Sequence, residues 1–206
     1  MSPEAEVMRH VLMYFILPLW LCAGFADWLC HRASNIATTA GPKESLIHLL
    51  MLVEMAIPVT AAMNFEVNAL ILLLMIVCWV LHEATAVWDV FYAVERREVT
   101  PIEQWVHTYL GVIPLMSLVL VVVLSWQQFL ALFGLGTQTP RFELVWKDPP
   151  LPWGYVLSIL AAVALLEVLP YVEELIRGLR ANRGRLVPPK AASRGRALDA
   201  ERRRAV

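Results

Sequence analysis

The chain has 206 residues, of which 59% are hydrophobic and 17% charged, and its formal net charge is −1. Soluble globular domains are about half apolar and about a quarter charged, so this composition excludes a water-soluble globule and a disordered chain. The near-zero charge is an average, because residues 177–206 carry a net charge of +8 and residues 1–176 a net charge of −9. A surplus of acids in an apolar segment needs cationic partners or a function.

Five apolar stretches are each long enough to cross a bilayer of about 30 Å as a helix. In chain order they cover residues 11–28, 46–65, 69–93, 106–133 and 153–176. The predicted fold is therefore an all-α, integral membrane bundle of five helices. We expect two parts, a transmembrane domain over residues 1–176 and a basic, flexible cytoplasmic tail over residues 177–206.

Basic residues near the ends of the spans predict the orientation, because short cytoplasmic loops are enriched in Lys and Arg. Arg32, Lys43, Arg96, Arg97 and the Arg-rich tail all fall on one side. The amino terminus is therefore predicted outside and the carboxyl terminus in the cytoplasm, in a bacterial inner membrane. The tail is interpreted as an anchor attracted to anionic lipid rather than as an arm that binds nucleic acid.

Acids and histidines recur at helical spacing near the predicted cytoplasmic side. Three acids each precede a histidine by four residues, a spacing that turns a net angle of about 40° and puts both side chains on one face. A fourth histidine and an acid, seven residues apart, also share a face. The residues predicted to bind metal are Asp27, His31, Glu44, His48, His82, Asp89, Glu103 and His107.

Two of these segments repeat each other. Residues 42–48 and 101–107 both read P-x-E-x-x-x-H, and each follows an aspartate beside a tryptophan in the preceding span. Spans 1–2 and spans 3–4 are thus predicted to form two pseudo-symmetric hairpins around a metal site. Helix capping by Glu44 and Glu103 is the alternative interpretation, but capping explains neither the histidines nor the aspartates.

The ligand types indicate which ions the site would take. Carboxylates suit hard cations, imidazole suits iron, zinc or copper, and a helical bundle can hold two ions that share bridging carboxylates. We therefore expect two transition-metal ions, with iron first and zinc or manganese as alternatives. Three further acids are candidates for hydrogen bonding to the metal ligands or for carrying protons: Glu54, Glu83 and Glu167.

The pattern resembles the ferritin-like di-iron carboxylate proteins, in which a helix pair gives one acid and then a Glu-plus-His motif, twice. The resemblance covers Asp27 to His107, with Glu-x-x-x-His where that family has Glu-x-x-His. His31 and His82 are similar to the extra histidines of membrane hydroxylases and desaturases, whose H-x-x-H-H boxes this sequence lacks. The resemblance implies a membrane-embedded di-metal bundle.

If the metal is iron, we expect a membrane-bound oxidoreductase that hydroxylates, desaturates or oxidises an apolar, lipid-like substrate with electrons from a donor. If it is zinc, the alternative is hydrolysis through a metal-activated water. A b-haem electron carrier would use His48, His82 or His107 as axial ligands. A transporter would carry metal ions or protons past the same residues. The acids beside the histidines favour the enzyme over the haem protein, and their one-sided placement favours it over the transporter.

Overall fold

A computed structural model of the chain describes residues 2–189 and contains six helices once contiguous α- and π-helical stretches are joined. Five are long and apolar enough to cross a membrane: α1 (Pro3–Ala33), α2 (Pro42–Asn64), α3 (Ala69–Val94), α4 (Pro101–Leu124) and α6 (Trp153–Ala181). The short helix α5 (Trp126–Leu132) follows α4. Residues 2–189 contain no strand, which confirms the predicted all-α bundle.

Helices α2 and α4 begin at a proline, about one turn before their apolar stretches. Pro42 and Pro101 occupy the first turn, where a missing backbone N–H leaves no hydrogen bond unmade. The hydroxyl of Thr100 also accepts a hydrogen bond from the backbone N–H of Glu103 at 3.2 Å. These starts place Glu44 and Glu103 on the first turn of a helix rather than in a loop.

The fourth predicted span was too long. A single helix over residues 106–133 was expected from continuous apolarity, but α4 ends at Leu124 and Ser125 leaves the helical conformation with φ −117° and ψ 32°. The carbonyl of Ser125 then accepts hydrogen bonds from Gln128 and Phe129, which start α5. Such a break in the helix cannot be predicted from apolar composition, because the segments on both sides of it are apolar.

Two π-helical turns interrupt the spans, at Leu12–Ile16 in α1 and Ala164–Val168 in α6. Each contains the residue four positions before a proline, Pro18 or Pro170. A proline supplies no N–H and displaces the carbonyl four residues earlier, so the helix widens locally. The second π-turn carries Glu167, which is buried.

The five spans form a closed ring in the order α1, α4, α3, α2, α6. Helix α6 lies between α1 and α2 and packs against both, whereas α3 and α4 pack directly on each other. The predicted repeat makes α1 equivalent to α3 and α2 equivalent to α4. The contact between α1 and α4 is therefore equivalent to the contact between α3 and α2. The repeat therefore relates these two contacts, while α6 separates the two helices of the first hairpin.

Polar and apolar side chains are distributed in the reverse of a soluble protein. Large apolar side chains such as Val53 and Val77 are about half exposed on the outer surface, at 55% and 48%. Asp27, His31 and Glu44 are at most 1% exposed inside the ring. An apolar exterior of this extent requires lipid around it, so the bundle is an integral membrane protein.

Most of the buried charged groups lie at one end of the bundle, where α1, α3 and α6 end and α2 and α4 begin, which we call the site end. Beyond α6, Asn182 donates a hydrogen bond to the carbonyl of Ala37, and the carbonyl of Leu186 accepts one from Lys43. The start of the predicted basic tail is thus helical to Ala181 and then packs over the loop between α1 and α2. Its part beyond residue 189 lies outside the described residues.

Candidate metal centre

Seven of the eight predicted ligands meet at the site end. Helix α1 contributes Asp27 and His31, α2 contributes Glu44 and His48, α3 contributes Asp89, and α4 contributes Glu103 and His107. Six of the seven are at most 5% exposed. The side chain of His107 is 20% exposed. The helical spacing that predicted shared faces thus brought these side chains to one level of the bundle.

The repeats pair crosswise. Nε2 of His107 lies 3.0 Å from Oδ1 of Asp27, and Nε2 of His48 lies 3.3 Å from Oδ2 of Asp89. The aspartate of each repeat therefore faces the histidine of the other repeat. This geometry follows from the two equivalent helix contacts, α1 with α4 and α3 with α2.

Asp27 lies at the centre of the cluster. Its Oδ1 faces His107, and its Oδ2 lies 3.3 Å from Nε2 of His31 and 3.9 Å from Nε2 of His48. The hydroxyl of Tyr171 also lies 3.2 Å from Oδ2. One carboxylate thus lies between histidines of three helices.

Two overlapping groups of side chains could each hold an ion. One consists of Asp27, His31, Glu103 and His107, and the other of His31, Glu44 and His48; within each, the ligand atoms lie within 4.8 Å of one another. Around an ion with bonds of about 2.1 Å, octahedral ligand atoms are about 3.0 Å apart when adjacent and about 4.2 Å apart when opposite. The two groups therefore need only small side-chain movements to surround an ion.

Several of these atoms lack hydrogen bonds within residues 2–189. Asp27 Oδ1, His31 Nε2, His48 Nδ1 and Asp89 Oδ1 are buried without a partner of hydrogen-bond geometry, although oxygens and nitrogens approach closely. Unpaired buried polar atoms are costly and uncommon. Ligand atoms that converge without bonding to each other fit a site built for cations.

Arg97 is the main member of the cluster that the sequence did not reveal. Its side chain is 2% exposed, and the guanidinium lies between Glu44 and Glu103, 2.5 Å from an oxygen of each. Burial lowers the pKa of Arg97, but its hydrogen bonds and charge interactions with these two glutamates outweigh burial and raise the pKa above its usual value. Arg97 was considered only as one of two adjacent loop cations that set the topology, and nothing in the sequence distinguishes it from Arg96.

Helix α6 also contributes residues that the sequence did not single out. Glu174 is fully buried; its Oε2 lies 3.1 Å from Nδ1 of His31, and its Oε1 accepts a hydrogen bond from Ser45 at 2.8 Å. Tyr171 bonds to Asp27 and to the carbonyl of Gly24. Glu167, Tyr171 and Glu174 are spaced four and three apart, so helical periodicity from Glu167 could have found them.

The charges of the cluster do not balance if its histidines are neutral. Asp27, Glu44, Asp89, Glu103 and Glu174 give five carboxylates, against the single guanidinium of Arg97. With neutral imidazoles the cluster carries four negative charges in a buried position, which is strongly unfavourable unless cations compensate them. Two divalent ions would neutralise it.

The remaining predicted residues lie outside the two groups. His82 is 8% exposed and lines a cavity below the cluster, and its Nδ1 has no hydrogen-bond partner among residues 2–189. Glu54 accepts a hydrogen bond from Thr85 at 2.9 Å rather than pairing with His82. Glu83 and Glu167 line the same cavity. His82, Glu83 and Glu167 thus surround the cavity rather than the ligand groups, and Glu54 belongs to neither.

The cavity has a volume of about 490 Å³ and reaches the cluster at one end. Asp27, His48, Asp89 and His107 form that end. The other lining residues are mostly apolar and come from all five spans. The residues of the candidate centre are thus accessible from an apolar chamber of the size that small-molecule sites have.

No family model, curated protein or solved structure matches the chain. The geometry of the site therefore carries the functional assignment.

Proposed function

We propose that the chain is an integral membrane metalloenzyme with a two-ion carboxylate and histidine centre, most simply di-iron, that oxidises an apolar substrate. The observation that carries this proposal is the position of the candidate centre at the polar end of an apolar cavity. Polar groups that carried ions or protons across a membrane would be distributed along a path. Here the ligand groups share one level, and hydrocarbon-like surface leads to them.

The donor set supports two ions rather than one. Asp27 would help to hold an ion from the centre of the cluster, since its two oxygens face histidines on different helices. His107 with Glu103 and His48 with Glu44 would then provide ligands on the two sides. Arg97 orients the two glutamates through its hydrogen bonds, and Glu174 orients the ring of His31 through Nδ1.

Bound iron would supply oxygen activation, in which one oxygen atom enters a C–H bond, the other leaves as water, and a separate donor provides two electrons with two protons. The chain's own residues hold the substrate's apolar part in the cavity and limit the entry of water. His48, Asp89 and His107 face that cavity, so an occupant lies beside the ligands. A zinc-loaded site would favour the hydrolytic alternative.

Elemental and optical analysis of the full chain tests the proposal. We expect protein extracted from membranes in mild detergent to contain about two iron ions per chain and no haem absorption. Membranes that hold the protein, given a reductant and dioxygen, should contain lipids that have gained an oxygen atom or lost two hydrogens. Stoichiometric zinc without iron would support the hydrolase instead, and a Soret band the haem carrier. Protein without any stoichiometric transition metal would contradict the metalloenzyme.

A further inference from the structure

We propose that the cavity takes one hydrocarbon chain of a membrane lipid, which enters between α3 and α4 and lies along the bundle axis with its head-group end at the metal centre. Oxidation then falls on the carbons next to the head group rather than on the far end of the chain. The choice of which carbons are oxidised rests on the proposed function, whereas binding of the lipid chain is inferred from the cavity alone.

The length of the cavity is the first argument. On α1 its lining runs from Asp27 to Leu17, and on α2 from His48 to Val59. At about 1.5 Å per residue these segments span about 15 and 16 Å along their helices. The hydrocarbon core of a bilayer is about 30 Å thick, so the cavity is as long as one leaflet. A chain of the leaflet beside the site end therefore fits without bending.

The lining changes from polar to apolar along this length. The site end carries Asp27, His48, Asp89, His107 and Glu167, and the deeper part carries side chains such as Leu17, Met55 and Val59. A head group pushed to the deep end would lose its hydrogen bonds with water there, which is costly. The chain consequently enters with its methyl end deepest.

The entrance lies on the lipid-facing surface of α3 and α4. Val87 and Phe91 line the cavity although they are 56% and 67% exposed, so the cavity reaches the outer surface beside them. On the facing helix, Gly111 lines the cavity and leaves open space where a side chain would begin. The small glycine and the exposed α3 side chains form a lateral opening at the depth where lipid chains lie.

Two polar side chains, His82 and Glu83, interrupt the deeper lining on α3. Both leave a buried atom without a hydrogen-bond partner among residues 2–189. If the occupant is a hydrocarbon chain, neither residue recognises it.

The experiment uses the full chain in bacterial membranes fed with alkyne-tagged fatty acids that carry a diazirine near the carboxyl end or near the methyl end. After irradiation, we expect the first probe to label peptides around Asp89 and His107 and the second to label peptides around Leu17 or Val59. Labelling in the reverse order would overturn the proposed orientation. Labelling confined to the outer surface, with the cavity residues unlabelled, would overturn chain binding.

Variants of matched chemistry sharpen the experiment. Gly111→Leu should fill the entrance and lower labelling of the cavity residues at least about tenfold. Gly154→Leu, at another glycine with open space around it, should leave labelling unchanged. Equal labelling in both variants would contradict a hydrocarbon chain in this cavity.

Metal content measured on the same samples separates this proposal from the proposed function. Gly111→Leu should retain its metal, because Gly111 belongs to neither ligand group. A metal-free protein with labelled cavity residues would refute the metalloenzyme and leave chain binding standing. A metal-loaded protein with no labelled cavity residues would refute chain binding alone.

Discussion

Arg97 determines how much of the negative charge at the site is already compensated. Its guanidinium makes hydrogen bonds to both Glu44 and Glu103 and is nearly inaccessible to solvent. Since these glutamates are related by the repeat, one cation serves both halves of the cluster. Arg97 thereby keeps two carboxylates in place near the histidines.

Substitution of Arg97 should be far more damaging than substitution of its neighbour. Arg97→Ala leaves two buried glutamates without a cation, so we expect a loss of about 3–5 kcal/mol in stability. Arg96→Ala is the matched control; Arg96 binds the carbonyl of Tyr92 and a more exposed glutamate, and it should cost about 1 kcal/mol or less. Thermal unfolding in detergent measures both, and added divalent metal should stabilise Arg97→Ala more than wild type. Equal stability of the two variants would show that the Arg97 contacts are unimportant.

Glu174 is expected to act on the metal site through His31. Its carboxylate orients the ring from the side opposite Asp27, and such partners typically change metal affinity by about 10–100-fold. Glu174→Gln should therefore weaken metal binding by about that factor in a chelator competition, without unfolding the bundle. Glu173→Gln is the control, because Glu173 pairs with the exposed Arg32 and with Arg177. If both variants bind metal as wild type does, Glu174 has no such role.

Most ligand candidates could be predicted because an acid and a histidine four apart need only a helix to share a face. Arg97 could not, since its partners are on other elements at no fixed spacing, whereas Glu174 could have been found only through its helical spacing from Glu167. Arg97 also lies in the loop between α3 and α4, where helical periodicity carries no information. His82 was predicted as a ligand from helical spacing but is not one of the grouped residues. It shares a helix face with Asp89 but lies too deep in the bundle to join either ligand group.

At the scale of elements, α1 and α6 approach closely at Gly24. A Cβ atom built there would lie 2.4–2.7 Å from the carboxyl group of Glu167, and the Gly24 carbonyl accepts a hydrogen bond from Tyr171. The absence of a side chain thus lets the π-helical turn of α6 bring Glu167 and Tyr171 against α1. This contact also lies directly beneath Asp27.

Gly24→Ala should displace Glu167 and loosen this contact. Because the displaced atoms are the flexible end of Glu167 beside the cavity, we expect a loss of only about 1 kcal/mol, measured by thermal unfolding in detergent. Gly154→Ala is the control, because nothing lies within 4 Å of the added carbon, and it should be neutral or slightly stabilising. If Gly24→Ala proved as stable as Gly154→Ala, close packing at Gly24 would be unnecessary.

The number of spans followed from apolar length, and the starts of α2 and α4 were indicated by proline with glutamate in the first turn. The end of α4 could not be predicted from the sequence, because the chain stays apolar on both sides of Ser125. The position of α6 in the bundle could not be predicted either. A sequence repeat relates spans 1–2 to spans 3–4 and carries no information about where a fifth, unrepeated helix inserts.

At the scale of the whole molecule, the orientation remains a prediction from charge. The site end carries the loop cations Arg96 and Arg97, as well as Arg32 and Lys43 at the helix ends, and the basic tail follows α6 on the same side. A fluorescent protein fused after Val206 should therefore fluoresce in the bacterial cytoplasm, and a phosphatase that requires periplasmic oxidation should be inactive there. An active phosphatase fusion would reverse the orientation and place the centre outside.

The central claim is that two equivalent halves of this bundle bind metal together. Metal content per chain, measured for wild type beside His48→Ala, His107→Ala and His10→Ala, tests it most directly, because His10 lies at the far end of α1. We predict about two ions per chain in wild type and in His10→Ala, and loss of metal in both other variants, since each histidine faces the aspartate of the opposite repeat. Metal retained in both His48→Ala and His107→Ala, or lost in only one of them, would contradict the symmetric two-ion centre.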